Sequence, residues 1–137
     1  MSKRSRFLGK LRNDSQTKNI NVQVDVIEYE DDGIFYAYSP ALDLIGYGIS
    51  LVEARQSWET ILQEYFTYTM NKKTLTKDLL HRGWIVRKGN KEFRPPSFSW
   101  LLQNNRELVE MYDKHNFQKT SRPISVPLAT LQLFYSC

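Results

Sequence analysis

The sequence predicts an α+β protein: an antiparallel three-stranded meander packed by an amphipathic helix, then a short helix, a hairpin, a second helix and a terminal strand. Three observations carry that prediction. Val22, Val24 and Val26 alternate with Gln23 and Asp25, the period of a half-buried strand. Asp31-Asp32-Gly33 follows, a tripeptide suited to the left-handed backbone of a hairpin turn. Ser50 and Glu53 then make a capping box, and Leu51, Ala54, Trp58, Ile61, Leu62, Tyr65 and Phe66 fall on one helical stripe.

Taken in order, the first strand is expected over residues 20–30 and its return over residues 34–39, where Pro40 ends the pairing by removing a ladder donor. Residues 44–49 read as the third strand, with Gly46 and Gly48 marking a bulge or a close backbone approach. On the helix that follows, Arg55, Gln56, Glu59, Gln63 and Glu64 are assigned to the outer face. After Asn71-Lys72-Lys73, residues 76–82 form a short helix stopped by Gly83. Residues 84–87 and 92–94 flank Gly89-Asn90 as a hairpin. Pro95-Pro96 then precedes Ser97 or Ser99 as the N-cap of a helix that carries Trp100, Leu101, Leu108, Val109 and Tyr112 to about His115-Asn116. Residues 124–128, between the constraints of Pro123 and Pro127, are the last strand. The expected organisation is a basic, disordered tail at 1–19, one domain at 20–128 with its core at 20–70 and an extension at 74–128, and a second tail at 129–137.

The second strand has a consequence for burial. Ile34, Tyr36 and Tyr38 alternate with Phe35 and Ala37, so both of its faces are apolar and both need cover. The helix after the meander covers one. The other meets residues 98–116, a second copy of the chain, or a different protein. Tyr36, Tyr38 and Tyr47 are the residues expected on such a partner or dimer face.

Composition narrows the class of protein. With 137 residues, 41% of them hydrophobic and 25% charged, the chain matches an ordinary globular domain. No apolar run approaches the roughly 20 residues needed to span a bilayer. After the basic start the apolar stretch is only Phe7-Leu8, too short for a secretory signal. Cys137 is the single cysteine and forms no internal disulfide, so the expected location is the cytoplasm. The net charge of +4 is unevenly placed: Lys3, Arg4, Arg6, Lys10 and Arg12 precede any acid, and the remainder carries 14 basic and 15 acidic residues. That tail is the candidate for phosphate contacts by counterion release.

Catalytic and cofactor signals are weak. His81 and His115 each end an expected helix, which suits a cation beside the helix C-terminus. Neither has metal-ligand spacing, and no P-loop, GxGxxG or GxSxG is present. Asp25, Glu28, Glu30, Asp31 and Asp32 form an acidic run that reads as a solvated edge rather than a magnesium site. A non-enzymatic chain without a cofactor is expected.

The stretch from Tyr36 to Ala54 resembles the core of HicB-like antitoxin domains. It carries an aromatic-rich strand at Tyr36, a corner at Pro40 and Leu42, Gly48 before the Ser50 cap, and Glu53-Ala54 in the first helical turn. The resemblance covers residues 20–70; Asp43-Leu44 replaces the Pro-Gly pair that often follows the leucine. It implies a partial RNase H-like fold without catalytic carboxylates, acting as the antitoxin that covers a HicA-type mRNA interferase. Many members add a DNA-binding ribbon-helix-helix or helix-turn-helix; Ile124–Leu128 is similar to the strand that opens the former, but no helix-forming segment of useful length follows. A second segment, Leu79 to Gly89, is similar to the start of HicA toxins. Asn90 and Lys91 stand where the toxin's Ser-His would fall. The leading expectation is therefore a protein-binding, homodimeric antitoxin-like module. The alternative is a nucleic-acid-binding regulator using the tail and the 84–94 hairpin, and the outsider is an RNase H-like or interferase-like nuclease.

Overall fold

The computed structural model describes residues 19–87, 89 and 92–127. The meander consists of β1 (Asn19–Asp31), β2 (Ile34–Ser39) and β3 (Leu44–Gly48), and α1 (Leu51–Lys72) follows it directly. Next come α2 (Leu75–His81), β4 (Ile85–Arg87), β5 (Glu92–Arg94), α3 (Phe98–Asn104), α4 (Arg106–Lys114) and β6 (Phe117–Pro127). The fold is α+β. A four-stranded antiparallel sheet has the order β3-β2-β1-β6, and β4 and β5 form a separate two-stranded sheet.

Local chemistry sets the turns as expected. Asp32 and Gly33 both have positive φ, and Asp31 pairs with Ile34 across the two-residue turn. At the start of α1, Ser50 Oγ accepts from the Glu53 N–H at 3.2 Å. The Glu53 carboxylate reaches back one residue further than a standard capping box and accepts from the Ile49 N–H. Gly83, with φ of 90°, follows the C-cap of α2, and the Trp100 ring lies against it.

Two expectations need correction in the second half. The single helix over 98–116 is two, because Asn105 is extended (φ −128°, ψ 100°) and serves as both the C-cap of α3 and the N-cap of α4. The last strand begins at Phe117 rather than 124 and pairs with β1 along its whole length, Tyr29 with Phe117 through Asn19 with Pro127. Its first half has no apolar alternation of its own, so the long neighbour dictates the strand. Pro123 is tolerated because β6 is an edge. Pro127 lies four residues on, so both missing donors fall on the same side of the strand.

The pairings sort the sheet into two faces. Val22, Val24, Val26, Ala37 and Ile124 share the face under α1, which presents buried Ala54, Trp58, Leu62 and Phe66. Gly46 and Gly48 are where the helix comes closest. A Cβ on Gly46 would stand 2.7 Å from the Ala54 carbonyl oxygen and the Trp58 Cα, and one on Gly48 would stand 2.5 Å from the Glu53 Cβ. The close-approach reading of these glycines holds, and no bulge interrupts the pairing of β3 with β2. On the opposite face, Ile27, Tyr29, Tyr36 and Tyr38 lie beneath α4, whose Leu108 is fully buried. Farther along that face, exposed Gln23 and Asn21 accept hydrogen bonds from Ser121 and Ser125 of β6, and no apolar cover is needed there.

The acidic run is not simply a solvated edge. Glu28 continues the parity of the three valines, so it lies under α1 with a side chain only 2% exposed. Arg55, expected on the outer face of the helix, instead turns inward and grips both carboxylate oxygens, at 2.6 and 2.9 Å. Arg122 of β6 adds a longer contact at 3.4 Å. Burial pushes the Glu28 pKa up, but the hydrogen bonds and charges of Arg55 and Arg122 outweigh it, so the net shift is down from 4.5. The folded-state pKa is depressed, so the stabilisation is complete above 4.5 and is lost as pH falls through the folded value. Arg55→Ala is expected to cost about 2 kcal/mol at pH 7. That is below the roughly 3–5 kcal/mol of breaking a fully buried pair, because the Arg55 side chain keeps about a third of its surface in water and Arg122 remains. With burial then opposed only by Arg122, urea titrations from pH 7 to 3 should show the variant losing less stability on acidification than the parent chain. Parallel pH profiles would refute this account of Glu28.

Candidate partner-binding surface

The corner between β2 and β3 is where the elements converge. Trp58 of α1 donates its indole N–H to Ser39 Oγ at 2.8 Å, and Trp84, just before β4, donates to the Ala41 carbonyl at 2.8 Å. Asp43 takes positive φ, which turns the chain into β3 and brings its carboxylate onto the Tyr38 hydroxyl at 2.7 Å. Asn105 closes the arrangement from the far side. Its Oδ1 caps α4 through the Leu108 N–H, and its Nδ2 donates to the Tyr38 oxygen at 2.8 Å. Burial, then the hydrogen bond to Asp43, pushes the Tyr38 pKa above its ordinary value, so the group is a fixed neutral donor and not a titrating base.

Beside this corner, a groove of about 460 Å³ runs between the sheet and α4, lined by Tyr29, Tyr38, Ile45 and Met111 among others. Its rim is mostly acidic, with Asp43, Glu107 and Glu110 facing Lys114 and His115. Tyr29 stacks on Tyr36 at 5.0 Å and on His115 at 4.8 Å, so the three rings form one ladder from the sheet to the end of α4. From the groove an apolar strip continues outward along β3 and into α1. Tyr47 is 64% exposed, Ile49 73% and Val52 60%, with Ile45 at the groove edge.

Neither edge of the sheet is a clean template for another strand. On β3 the Tyr47 N–H is taken by Ser57 Oγ and the Ile49 N–H by Glu53, both from α1. On β6, Pro123 and Pro127 lack donors, and Lys119 and Arg122 place charges along the strand. Such devices blunt edge-to-edge pairing. A partner on this side therefore meets side chains rather than open backbone.

The three tyrosines expected on a partner face have different fates. Tyr38 is buried within the chain and bonded on both sides, Tyr36 is half-buried in the ring ladder, and Tyr47 stands open to solvent. Residues 98–116 supply the cover for the second apolar face, through α4. The exposed partners of Tyr47 are Ile49 and Val52. Ile49 has the parity of Ile45 and Tyr47 within the expected third strand, so alternation was its available signal; Val52 lies off the helical stripe, and an apolar residue there was the other. Lys3, Arg4, Arg6, Lys10 and Arg12 lie outside the described residues. Among the described residues, no helix is long and apolar enough to cross a membrane, and no three His, Cys, Asp or Glu side chains gather as a metal site.

What the fold and this surface define is an α+β protein with an aromatic-laddered groove beside exposed apolar side chains of β3 and α1. No protein-family model, curated protein or solved structure matches the chain.

Proposed function

We propose that the chain is a non-enzymatic binding module of the HicB antitoxin type, which covers a small basic protein partner through the strip Ile45–Tyr47–Ile49–Val52 and the adjoining groove. The observation that carries this reading is the strip itself: large apolar side chains left in water beside a groove, on elements held in place by the corner at Ser39–Asp43. Charge supports the kind of partner. Residues 19–67 contain nine Asp/Glu and a single Arg, and exposed Asp43 and Glu53 flank the strip. An enzyme that acts on RNA needs a basic surface to hold phosphates, and an acidic, apolar face is complementary to it. The meander leading straight into a long helix also agrees with the arrangement that the resemblance implies.

The test is to look for a short reading frame adjoining this gene and to co-express it with the chain; a gene with no such neighbour counts against the reading. The full chain should relieve the growth arrest that frame causes and co-purify with its product. Tyr47→Glu with Ile49→Glu should abolish both effects while leaving the thermal midpoint unchanged. A neighbour without toxicity, or a double variant that still protects, would overturn the reading. Sedimentation of the free chain decides the homodimer expected from the sequence; two acidic meanders repel each other, so self-association would avoid the strip.

A further inference from the structure

The charges of the folded chain are segregated more sharply than its net charge suggests. Against the acidic segment 19–67, residues 68–97 hold eight Lys/Arg and two Asp/Glu. Both of those acids are already neutralised. Asp78 bonds Arg82, and Glu92 bonds Arg87 and Arg94. None of Lys72, Lys73 and Lys77 forms an ion pair with a described carboxylate.

Lys77, with His81 and Arg82, lines a groove of about 820 Å³ between the last turns of α1 and α2, and Lys72 and Lys73 end α1 between the lining residues Thr69 and Thr74. The groove's volume falls within the roughly 300–1,000 Å³ of small-ligand sites. The floor is rigid: the Tyr65 hydroxyl donates to Asp78, which also accepts from Arg82 at 2.8 Å. The walls are Tyr68, 62% exposed, and Leu80, 52% exposed, with Lys77 and His81 beside them. Lys72 lies over the Tyr68 ring, 5.9 Å from its centre. An open aromatic ring flanked by cations in a groove can stack one planar group and neutralise the phosphates next to it.

We infer that the α1–α2 groove binds single-stranded nucleic acid, with Tyr68 stacking on a base and Lys72, Lys73 and Lys77 contacting the phosphate backbone. A single strand is favoured over a duplex because only an unpaired base offers its face to the ring. An acidic peptide would use the same cations but would leave Tyr68 without a stacking partner. This surface is separate from the strip on β3, and the inference does not depend on the partner proposed there.

The experiment is fluorescence anisotropy of the full chain with labelled 12-nucleotide oligouridine RNA, from 50 to 300 mM salt. Affinity is expected to fall with salt. Tyr68→Ala should weaken binding about tenfold, the loss of one stacked base. Lys77→Ala should weaken it and reduce the magnitude of the log–log salt slope by about 1. Both side chains are solvent-exposed, so folding is preserved and circular dichroism checks it. Three results would overturn the inference: no binding at 50 mM salt, binding that neither substitution changes, or oligoglutamate displacing the RNA as well as unlabelled RNA does. The second would place any RNA contact elsewhere, and the third would make the groove an acidic-peptide site.

Discussion

Trp58→Ala is expected to lower the free energy of unfolding by about 3–5 kcal/mol, the range for removing a large buried aromatic. Trp58 is almost fully buried, one turn from buried Ala54 and Leu62 on the helix, and its backbone lies against Gly46 of β3. It also holds the corner, because its N–H bonds the fully buried Ser39 hydroxyl, which in turn donates to the Leu44 carbonyl. Trp58→Phe separates the two contributions: most of the ring area survives and the hydrogen bond is lost. Its cost should be nearer 1–2 kcal/mol, the hydrogen bond together with a small packing loss. Urea unfolding followed by far-ultraviolet circular dichroism gives both values. A cost below 1 kcal/mol for the alanine variant would mean that α1 is not held to the sheet by this residue.

Gly46→Ala should be nearly as damaging, at about 3 kcal/mol, although it adds one methyl group. Overpacking commonly costs 1–3 kcal/mol and is relieved when a neighbouring side chain rotates away. Here the neighbours are the Ala54 carbonyl oxygen and the Trp58 backbone nitrogen and Cα, which move only if the helix moves. The variant is expected to shift α1 outward and to expose Trp58, read as a red shift of tryptophan fluorescence in the absence of denaturant. Gly89→Ala is the control. Nothing lies within 4 Å of a Cβ there, so stability should change by less than about 0.5 kcal/mol. Equal effects at the two glycines would refute the close approach.

These two residues also mark how far the sequence could be read. The period-two valines, the Asp-Asp-Gly turn, the Ser50 cap and the stripe through Trp58 are local signals. Each depends on residues a few positions apart, and each element formed where it was expected. Gly46 and Gly48 carried a weaker signal, a close approach with no indication of what approaches.

The errors lie where the deciding partner is distant in sequence. Glu28 and Arg55 look like surface charges within their own segments and become a buried pair only because α1 crosses the sheet there. The first half of β6 has no strand period; it is a strand because β1, about ninety residues earlier, offers it a ladder. Asn105 reads as one polar residue inside a helix. Its break is stabilised by capping α4 and by the bond to Tyr38, 67 residues away.

The candidate surfaces divide in the same way. Tyr36, Tyr38 and Tyr47 share one alternation along the sheet, so sequence periodicity treats them as one face. The position of α4 buries Tyr38, half-covers Tyr36 and leaves Tyr47 open. The amino-acid sequence by itself determined the α+β class, the meander and the amphipathic helix, because alternation, turn chemistry and capping act within a few residues. Only the tertiary structure decided which apolar groups remain in water, which charges are buried and where cations meet an exposed ring. Each of those depends on what another segment, far along the chain, places on top.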